Sequence, residues 1–176
     1  MKKELLIGSG SNREKRLAID NNNEWNNLTT LDINPDHKPD VVWDLCQFPY
    51  PFEDNTFDEI HAYEVLEHTG AQGDYKFFFQ QFTELNRILK PNGYLFATCP
   101  AWNSIWAWGD PSHTRILQNV HLNFLNQQEY TNQIGITPMS DFRNIYKADF
   151  DKIFDHTNED SFKFVIQAIK PSRISI

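Results

Sequence analysis

The sequence is poor in the features that build secreted or membrane-embedded proteins. Its 176 residues include only two cysteines, Cys46 and Cys99, and neither belongs to a Cys-x-x-Cys or Cys/His pattern. We therefore expect two reduced, buried thiols. No apolar run approaches the roughly 20 residues that span a bilayer, and the run over 5–7 is too short for a signal peptide. These absences predict a cytoplasmic protein with no membrane partner.

Basic residues are also scarce. Asp and Glu number 24 against 16 Lys and Arg, which gives a formal charge of -8. An acidic surface lowers the expectation of a long electrostatic footprint on nucleic acid. Aromatic residues make up 14% of the chain and charged residues 23%, a composition typical of a packed globular protein. We expect residues 1–176 to form a single domain.

Apolar segments alternate with helical stretches, a pattern that predicts an α/β fold with a doubly wound, mostly parallel sheet. A helix is predicted over 12–19, and apolar residues at helical spacing predict a longer one over 74–90. A closing antiparallel pair is predicted near the C-terminus. The expected strands cover 4–7, 28–33, 41–43, 57–62, 94–98, 142–150 and 162–169.

The segment 99–140 differs from the rest of the chain. Trp102, Trp106 and Trp108 stand among prolines and glycines, and helical or strand periodicity fades. Long irregular segments of compact domains are more often functional than idle, so we expect a substrate-side insertion or lid here. The tryptophans either wall an aromatic substrate or pack as core beneath a loop.

A candidate nucleotide site opens at the first strand. Gly8 and Gly10 follow that strand directly, where the absence of a Cβ lets a ligand approach the backbone. Asp32 closes the second strand and is placed to accept from ribose hydroxyls; Asp44 follows the third and is placed to accept from an adenine amino group. Arg13 stands where a dinucleotide motif has its third glycine. The pattern favours an adenosyl cofactor, with an NAD-dependent oxidoreductase as the less favoured alternative.

In this order and spacing, the motifs resemble those of the class I S-adenosylmethionine-dependent methyltransferases, of the type 11-like kind, over nearly the whole chain. The resemblance implies a Rossmann-like sheet of seven strands with an antiparallel last strand, and S-adenosylmethionine as cofactor. By the same resemblance Gly8, Ser9 and Gly10 line the methionine and ribose, Asp32 with neighbouring Ile33 the ribose, Asp44 and Leu45 the adenine, and Tyr63 the methionine end. The matching segments are 5–10, 31–32, 43–45, 51–58, 64–68 and 89–94.

Such methyltransferases often carry an N-terminal helix that covers the cofactor, whereas this sequence opens at the first strand. We expect the cover to come from 99–140 or from another subunit, so an oligomer is possible.

Glu64, Glu67 and His68 lie at i, i+3 and i+4 and would share one face of a helix. The pattern resembles that of metal-dependent 2'-O-methyltransferases of small RNAs and O-methyltransferases of quinone biosynthesis, which implies a divalent Mg or Mn site with His113 as fourth ligand. The tetrapeptide Val65-Leu66-Glu67-His68 is also widespread in members of the same superfamily that bind no metal. Without a metal, His68 or His113 is the candidate general base, and Asp110 stands near His113 as a further catalytic candidate.

The expected acceptor is a small-molecule or glycan hydroxyl. Residues 62–65 lack the Asp/Asn-Pro-Pro-aromatic motif of amino-methylating DNA enzymes, and Cys99-Pro100 reverses the Pro-Cys of cytosine C5 enzymes. Together with the acidic charge, this makes DNA an unlikely partner. Arg115 is a candidate to pair with an acidic group on the substrate, or with Asp110. A non-catalytic cofactor-binding subunit or sensor is the alternative function.

Overall fold

The computed structural model describes residues 1–174 and contains one seven-stranded sheet. The strands are β1 (Lys3–Ile7), β2 (Asn27–Asp32), β3 (Val41–Val42), β4 (Phe57–Tyr63), β5 (Leu89–Pro100), β6 (Phe150–Thr157) and β7 (Ser161–Ala168). Their order in the sheet is β3-β2-β1-β4-β5-β7-β6. The helices are α1 (Tyr75–Ile88), α2 (Ile105–Gly109), α3 (Asn119–Asn123) and α4 (Gln127–Gln133), with short 3-10 helices at Pro35–His37 and Leu66–His68.

The sheet has the predicted mixed character. Strands β1 to β5 pair in parallel, and β7 runs antiparallel to both of its neighbours, β5 and β6. The carboxyl ends of β1, β2, β3 and β4 therefore meet at one edge, where the chain order reverses between β1 and β4. Open α/β sheets bind ligands in the crevice at this kind of switch point, so the topology already directs attention to Gly8 and Asp32.

Helix α1 is the long helix that the apolar spacing predicted. Asp74 caps it by accepting a hydrogen bond from Phe77 N at 3.0 Å, which satisfies one of the free N–H groups of the first turn. Its apolar face, including Phe82, Leu85 and Ile88, is fully buried. Burial of such side chains from water is the main driving force for folding, and this face forms the centre of the core.

The predicted helix over 12–19 is absent; residues 11–26 have no regular secondary structure. Asn12 accepts from Glu14 N, and Asp20 and Asn22 accept from the backbone two residues further on. Such Asx bonds compete with helical hydrogen bonding.

Tertiary contacts hold the segment in this form. Lys15 is buried and pairs with Glu4 at 2.6 Å and with Glu59 at 3.1 Å. One face of the sheet therefore carries a paired charge cluster beneath an irregular segment.

The predicted strand over 142–150 is also wrong, because β6 begins only at Phe150. The rings of Phe142 and Tyr146 lie against Phe79 of α1, with centroids at 4.9 and 5.0 Å. Their aromatic character reflects packing on α1 and not strand formation. The antiparallel pairing with β7 itself is confirmed.

The segment 99–140 contains the short helices α2, α3 and α4 and is thus more regular than its sequence suggested. No helix within residues 1–174 combines the length and hydrophobicity needed to cross a membrane.

Candidate active site

The turn after β1 requires glycine at Gly8. This residue has a φ of +59°, and a Cβ built on it would lie 2.2 Å from Cγ2 of Val65, a distance that van der Waals contact forbids. Gly10 also has a positive φ, +51°, and its N–H donates to Oδ2 of Asp32 at 2.8 Å. The turn therefore brings the backbone of β1 directly to the end of β2.

Asp32 is held by backbone donors on both carboxylate oxygens. Asn34 N donates to Oδ1 at 2.8 Å, opposite the bond from Gly10, and Nδ1 of His37 lies 3.3 Å from Oδ1. Burial by itself would raise the pKa of Asp32, but the donors from Asn34 and Gly10 and the nearby His37 outweigh it and hold the pKa below its usual value. A fixed, ionised carboxylate at a strand end is well suited to accept from hydroxyl groups.

A cavity of about 450 Å³ opens beside this turn. Its walls include most of the residues predicted to bind the cofactor: Gly8, Gly10, Asp32, Ile33, Asp44 and Leu45. Asp44 accepts from Cys46 N at 2.8 Å, so it acts as a turn residue and also lines the cavity. A volume of this size suits a small ligand.

Ser9 and Tyr63 are not part of the described lining of this cavity. The Ser9 side chain is buried, and within residues 1–174 its Oγ has no hydrogen-bond partner, an orphaned polar group of the kind a ligand can satisfy. The hydroxyl of Tyr63 instead accepts from the N–H groups of Arg16 and Leu17, both at 3.2 Å. The predicted contact of Tyr63 with the methionine end stays a prediction.

Glu67, His68 and His113 come together at the edge of the cavity, which His68 helps to line. One ligand atom from each of the three residues lies within 4.8 Å of the others. The His68 and His113 rings meet edge to face with centroids 4.6 Å apart. The 3-10 helix Leu66–His68 supplies the first two residues, and the loop after α2 supplies the third.

Asp110 and Ser112 connect this cluster to the same loop. Ser112 Oγ donates to Oδ1 of Asp110 at 2.6 Å and lies 3.0 Å from Nδ1 of His68. Trp106 O accepts from Nδ1 of His113 at 2.8 Å. The structure therefore brings the predicted catalytic residues His68, His113 and Asp110 into one group.

Glu67 is an unusual carboxyl group within that cluster. It is 2% exposed, and neither of its oxygens has a hydrogen-bond partner within residues 1–174. Burial, reinforced by the nearby charge of Glu64, raises its pKa to about 8. Without a cation, the group is therefore largely protonated at neutral pH.

A family model described as a methyltransferase domain matches residues 5–97, which is more than half of the chain. The chain belongs to the methyltransferase domain family.

Solved structures share the fold of this methyltransferase domain at low sequence identity. A SAM-dependent methyltransferase from Archaeoglobus fulgidus has a TM-score of 0.58 and 14% identity, covering 94% of this chain and 86% of that one. The N-methyltransferase NodS from Bradyrhizobium japonicum, solved with S-adenosyl-L-homocysteine, has a TM-score of 0.52 and 16% identity over 95% and 78%. No curated protein matches the sequence.

Six further residues of the methyltransferase domain line the cavity without having been predicted as site residues: Leu31, His37, Trp43, Cys46, Val65 and Thr69. Trp43 and Cys46 flank the predicted pair Asp44 and Leu45, so their place in the chain was a usable signal. Cys46 is exposed and Cys99 buried, so the prediction of two buried thiols is wrong for Cys46, which lies in a turn at the cavity. His37 and Thr69 reach the cavity from two separate 3-10 turns. Nothing in the local pattern marked those two.

Two predictions about charged partners need correction or restriction. Arg115 does not pair with Asp110; its Nε donates to Leu66 O at 2.9 Å and its Nη2 to Thr69 Oγ1 at 2.9 Å. Glu64 is exposed, with a φ of +51°, outside the helical geometry that was to align it with Glu67. Among the described residues, Glu64 is not part of the group of candidate metal ligands that Glu67, His68 and His113 form.

The tryptophan cluster is not core. Trp102, Trp106 and Trp108 are 56%, 60% and 74% exposed, so core packing beneath a loop was the wrong interpretation. Trp102 and Trp108 line an open groove together with Gln72, Ile116 and His121. The described walls of the cofactor cavity come from residues 8–69, and a cover from 99–140 stays a prediction.

Proposed function

We propose that this methyltransferase domain transfers the methyl group of S-adenosylmethionine to a hydroxyl of a small-molecule or glycan acceptor, with His68 as the general base. One observation carries the proposal: the hydrogen-bond chain Asp110–Ser112–His68 ends at the cofactor cavity. A hydroxyl nucleophile gains most from a positioned base, because proton removal accompanies its attack.

The geometry determines which atoms carry the protons in the hydrogen bonds that link Asp110, Ser112 and His68. Ser112 has one hydroxyl proton, and Asp110 Oδ1 at 2.6 Å can only accept it, since the hydrogen bond from Ser112 lowers the pKa of Asp110. Nδ1 of His68 must then donate to Ser112 Oγ. Neutral His68 therefore carries its free electron pair on Nε2. This nitrogen is the atom that we expect to take the acceptor's proton.

The cofactor side fits an adenosyl ligand. Asp32 presents an ionised carboxylate at the end of β2, and Asp44 and Leu45 lie further along the same cavity. Val65 fills the space beside Gly8, whereas the space that a Cβ at Gly10 would take is open. When bound, S-adenosylmethionine supplies a sulfonium-activated methyl group. The protein then has to align the acceptor oxygen with that methyl and exclude water.

A divalent cation, Mg or Mn, is a second candidate component of the site. Glu67 offers two oxygens that have no partner within residues 1–174. Ser112 Oγ orients the ring of His68, and Trp106 O orients the ring of His113, each through Nδ1. Partners of this kind commonly fix metal-bound histidines. His68 cannot bind a metal and act as the base through the same nitrogen, so the two versions of the site exclude each other.

The direct test is methyl transfer with purified protein and a panel of acceptors. Release of S-adenosylhomocysteine is measured with hydroxyl-bearing small molecules and glycans and with matched amines, each with Mn2+ or with EDTA. We expect release that depends on a hydroxyl acceptor and persists in EDTA. Loss of activity in EDTA, with recovery on adding Mn2+, assigns His68 to a metal instead.

Two other outcomes contradict the proposal. Transfer to amines alone would refute O-methylation. Tight binding of S-adenosylhomocysteine without turnover on any acceptor would favour a non-catalytic cofactor-binding subunit.

A further inference from the structure

A second cavity lies between the start of α1 and residues 115–124. Its volume is about 190 Å³. For comparison, an apolar cavity of about 150 Å³ accommodates benzene. Most of its large side chains are apolar, including Phe78, Phe79, Leu117, Phe124 and Phe142. Such a lining favours a ligand with a compact apolar body.

Arg115 is the one fully charged basic side chain in the described lining of this cavity. It is 6% exposed and makes no ion pair with any carboxylate of residues 1–174. Its Nε and Nη2 bind Leu66 O, Thr69 Oγ1 and Gln81 Oε1, but Nη1 has no hydrogen-bond partner in that part of the chain. A buried cation without a counter-ion is costly, and a bound anion would offset that cost.

His121 adds a second donor. Gln118 N donates to its Nδ1 at 3.0 Å, so in the neutral ring the proton is on Nε2. Burial lowers the pKa of His121, which favours this neutral form. Asp74, the one acid of the lining, is exposed and engaged in capping α1. The cavity thus presents a single positive charge within a mostly apolar wall, with His121, Gln72 and Tyr75 as its neutral polar side chains.

We propose that this cavity binds the carboxylate end of the methyl acceptor, a monocarboxylic acid whose apolar body is one ring or a branched chain. The proposal rests on the proposed function and extends it by naming the substrate class. One buried positive charge matches one carboxylate, whereas a dianion would bring a second charge that the apolar wall does not neutralise.

The position of the cavity supports a role in acceptor binding. Thr69 lines the cofactor cavity and accepts a hydrogen bond from Arg115. Arg115 also follows closely on His113 in the chain. A ligand held at Arg115 is therefore adjacent to the wall of the cofactor cavity.

The test measures binding of benzoate to the full chain without cofactor, by calorimetry, with benzamide as the neutral probe of matched shape. We expect benzoate to bind at least about tenfold more tightly than benzamide, as hydrogen bonds to a charged group predict. Equal affinity for the two probes, or no detectable binding of benzoate, would overturn the proposal.

Variants locate the site. Arg115→Met should weaken benzoate binding about tenfold or more, while Arg115→Lys should retain part of it. Because Arg115 is buried and its loss can impair folding, Ile116→Trp provides a second route by filling the cavity from a half-buried position. Unchanged benzoate affinity in folded Ile116→Trp would refute the assignment.

Binding of S-adenosylhomocysteine, measured on the same samples, separates this proposal from the proposed function. If a variant loses benzoate binding but keeps wild-type cofactor binding and turnover, the cavity is not the acceptor site, and the proposed function stands. Benzoate binding by a protein that never turns over refutes the methyl transfer and leaves an acid-binding cavity.

Discussion

The cofactor side and the acceptor side of the site are built differently. On the cofactor side, residues at the ends of adjacent parallel strands line much of the cavity. Backbone groups such as Gly10 N hold the carboxylate of Asp32 in place. On the acceptor side, side chains from 3-10 turns, short helices and loops meet across large sequence separations, as Ser112 and His68 do. Binding of the cofactor and methyl transfer should therefore respond to different substitutions.

The largest effect is expected from a substitution that removes the proposed general base on the acceptor side. His68→Gln should lower kcat by about 100- to 10,000-fold, the usual contribution of a general base, because glutamine cannot take the acceptor's proton. S-adenosylhomocysteine affinity should change far less. Steady-state kinetics with an acceptor from the hydroxyl panel, together with calorimetry, measures both quantities.

Ser112→Ala is the matched control on the same chain of hydrogen bonds. It removes the group that orients His68 but leaves the base in place, so a smaller loss of kcat is expected. If His68→Gln retains the wild-type kcat, His68 is not the base and the proposed mechanism is wrong.

The next largest effect is expected from a substitution on the cofactor side, which lowers the affinity for S-adenosylhomocysteine. Asp32→Ala should weaken S-adenosylhomocysteine binding about 10- to 100-fold, since hydrogen bonds to a charged acceptor are lost. Asp36→Ala is the control, because Asp36 is an exposed acid four residues further along. Equal affinity of the two variants, measured by calorimetry, would show that Asp32 does not contact the ligand.

The third effect concerns stability and not turnover or binding: a pH dependence at Glu67. Its pKa in the folded state is about 8 against an ordinary value of 4.5, so the native state keeps a proton that the unfolded chain has released. The stabilising contribution is complete below pH 4.5 and is lost as pH rises to 8, by at most about 1.4 kcal/mol per pH unit. Glu67→Gln lacks this titration.

Urea unfolding of both proteins at several pH values, in EDTA, checks this directly. The stability of Glu67→Gln relative to the wild type should grow between pH 5 and pH 8 and then level off. Parallel stability curves across that range would mean that Glu67 titrates normally and that its burial has no electrostatic consequence.

The same division explains what the sequence could predict. Strand ends marked by Gly8, Asp32 and Asp44 are local signals, and topology alone brings them together. Helix α1 was predictable because its apolar spacing agrees with its packing. The irregular structure found over 12–19 in place of the predicted helix could not be predicted. The buried pairing of Lys15 with Glu4 and Glu59 is a tertiary contact, and no local pattern indicates it.

The acceptor side shows the limit most clearly. His68 and His113 were identifiable as residue types able to act as bases, but their meeting depends on a loop that returns 44 residues later to place Ser112 beside His68. Arg115 was identifiable as a candidate partner for an acidic group, but its burial and its lack of a counter-ion among residues 1–174 are properties of the folded chain.

An adenosylmethionine site at Gly8, Asp32 and Asp44 is tested by comparing the binding of S-adenosylhomocysteine and of NADH to the wild-type protein, by calorimetry. We expect one S-adenosylhomocysteine per chain and an affinity at least about 100-fold above that for NADH, a difference of about 2.7 kcal/mol. Equal or tighter binding of NADH would contradict an adenosylmethionine site at Gly8, Asp32 and Asp44.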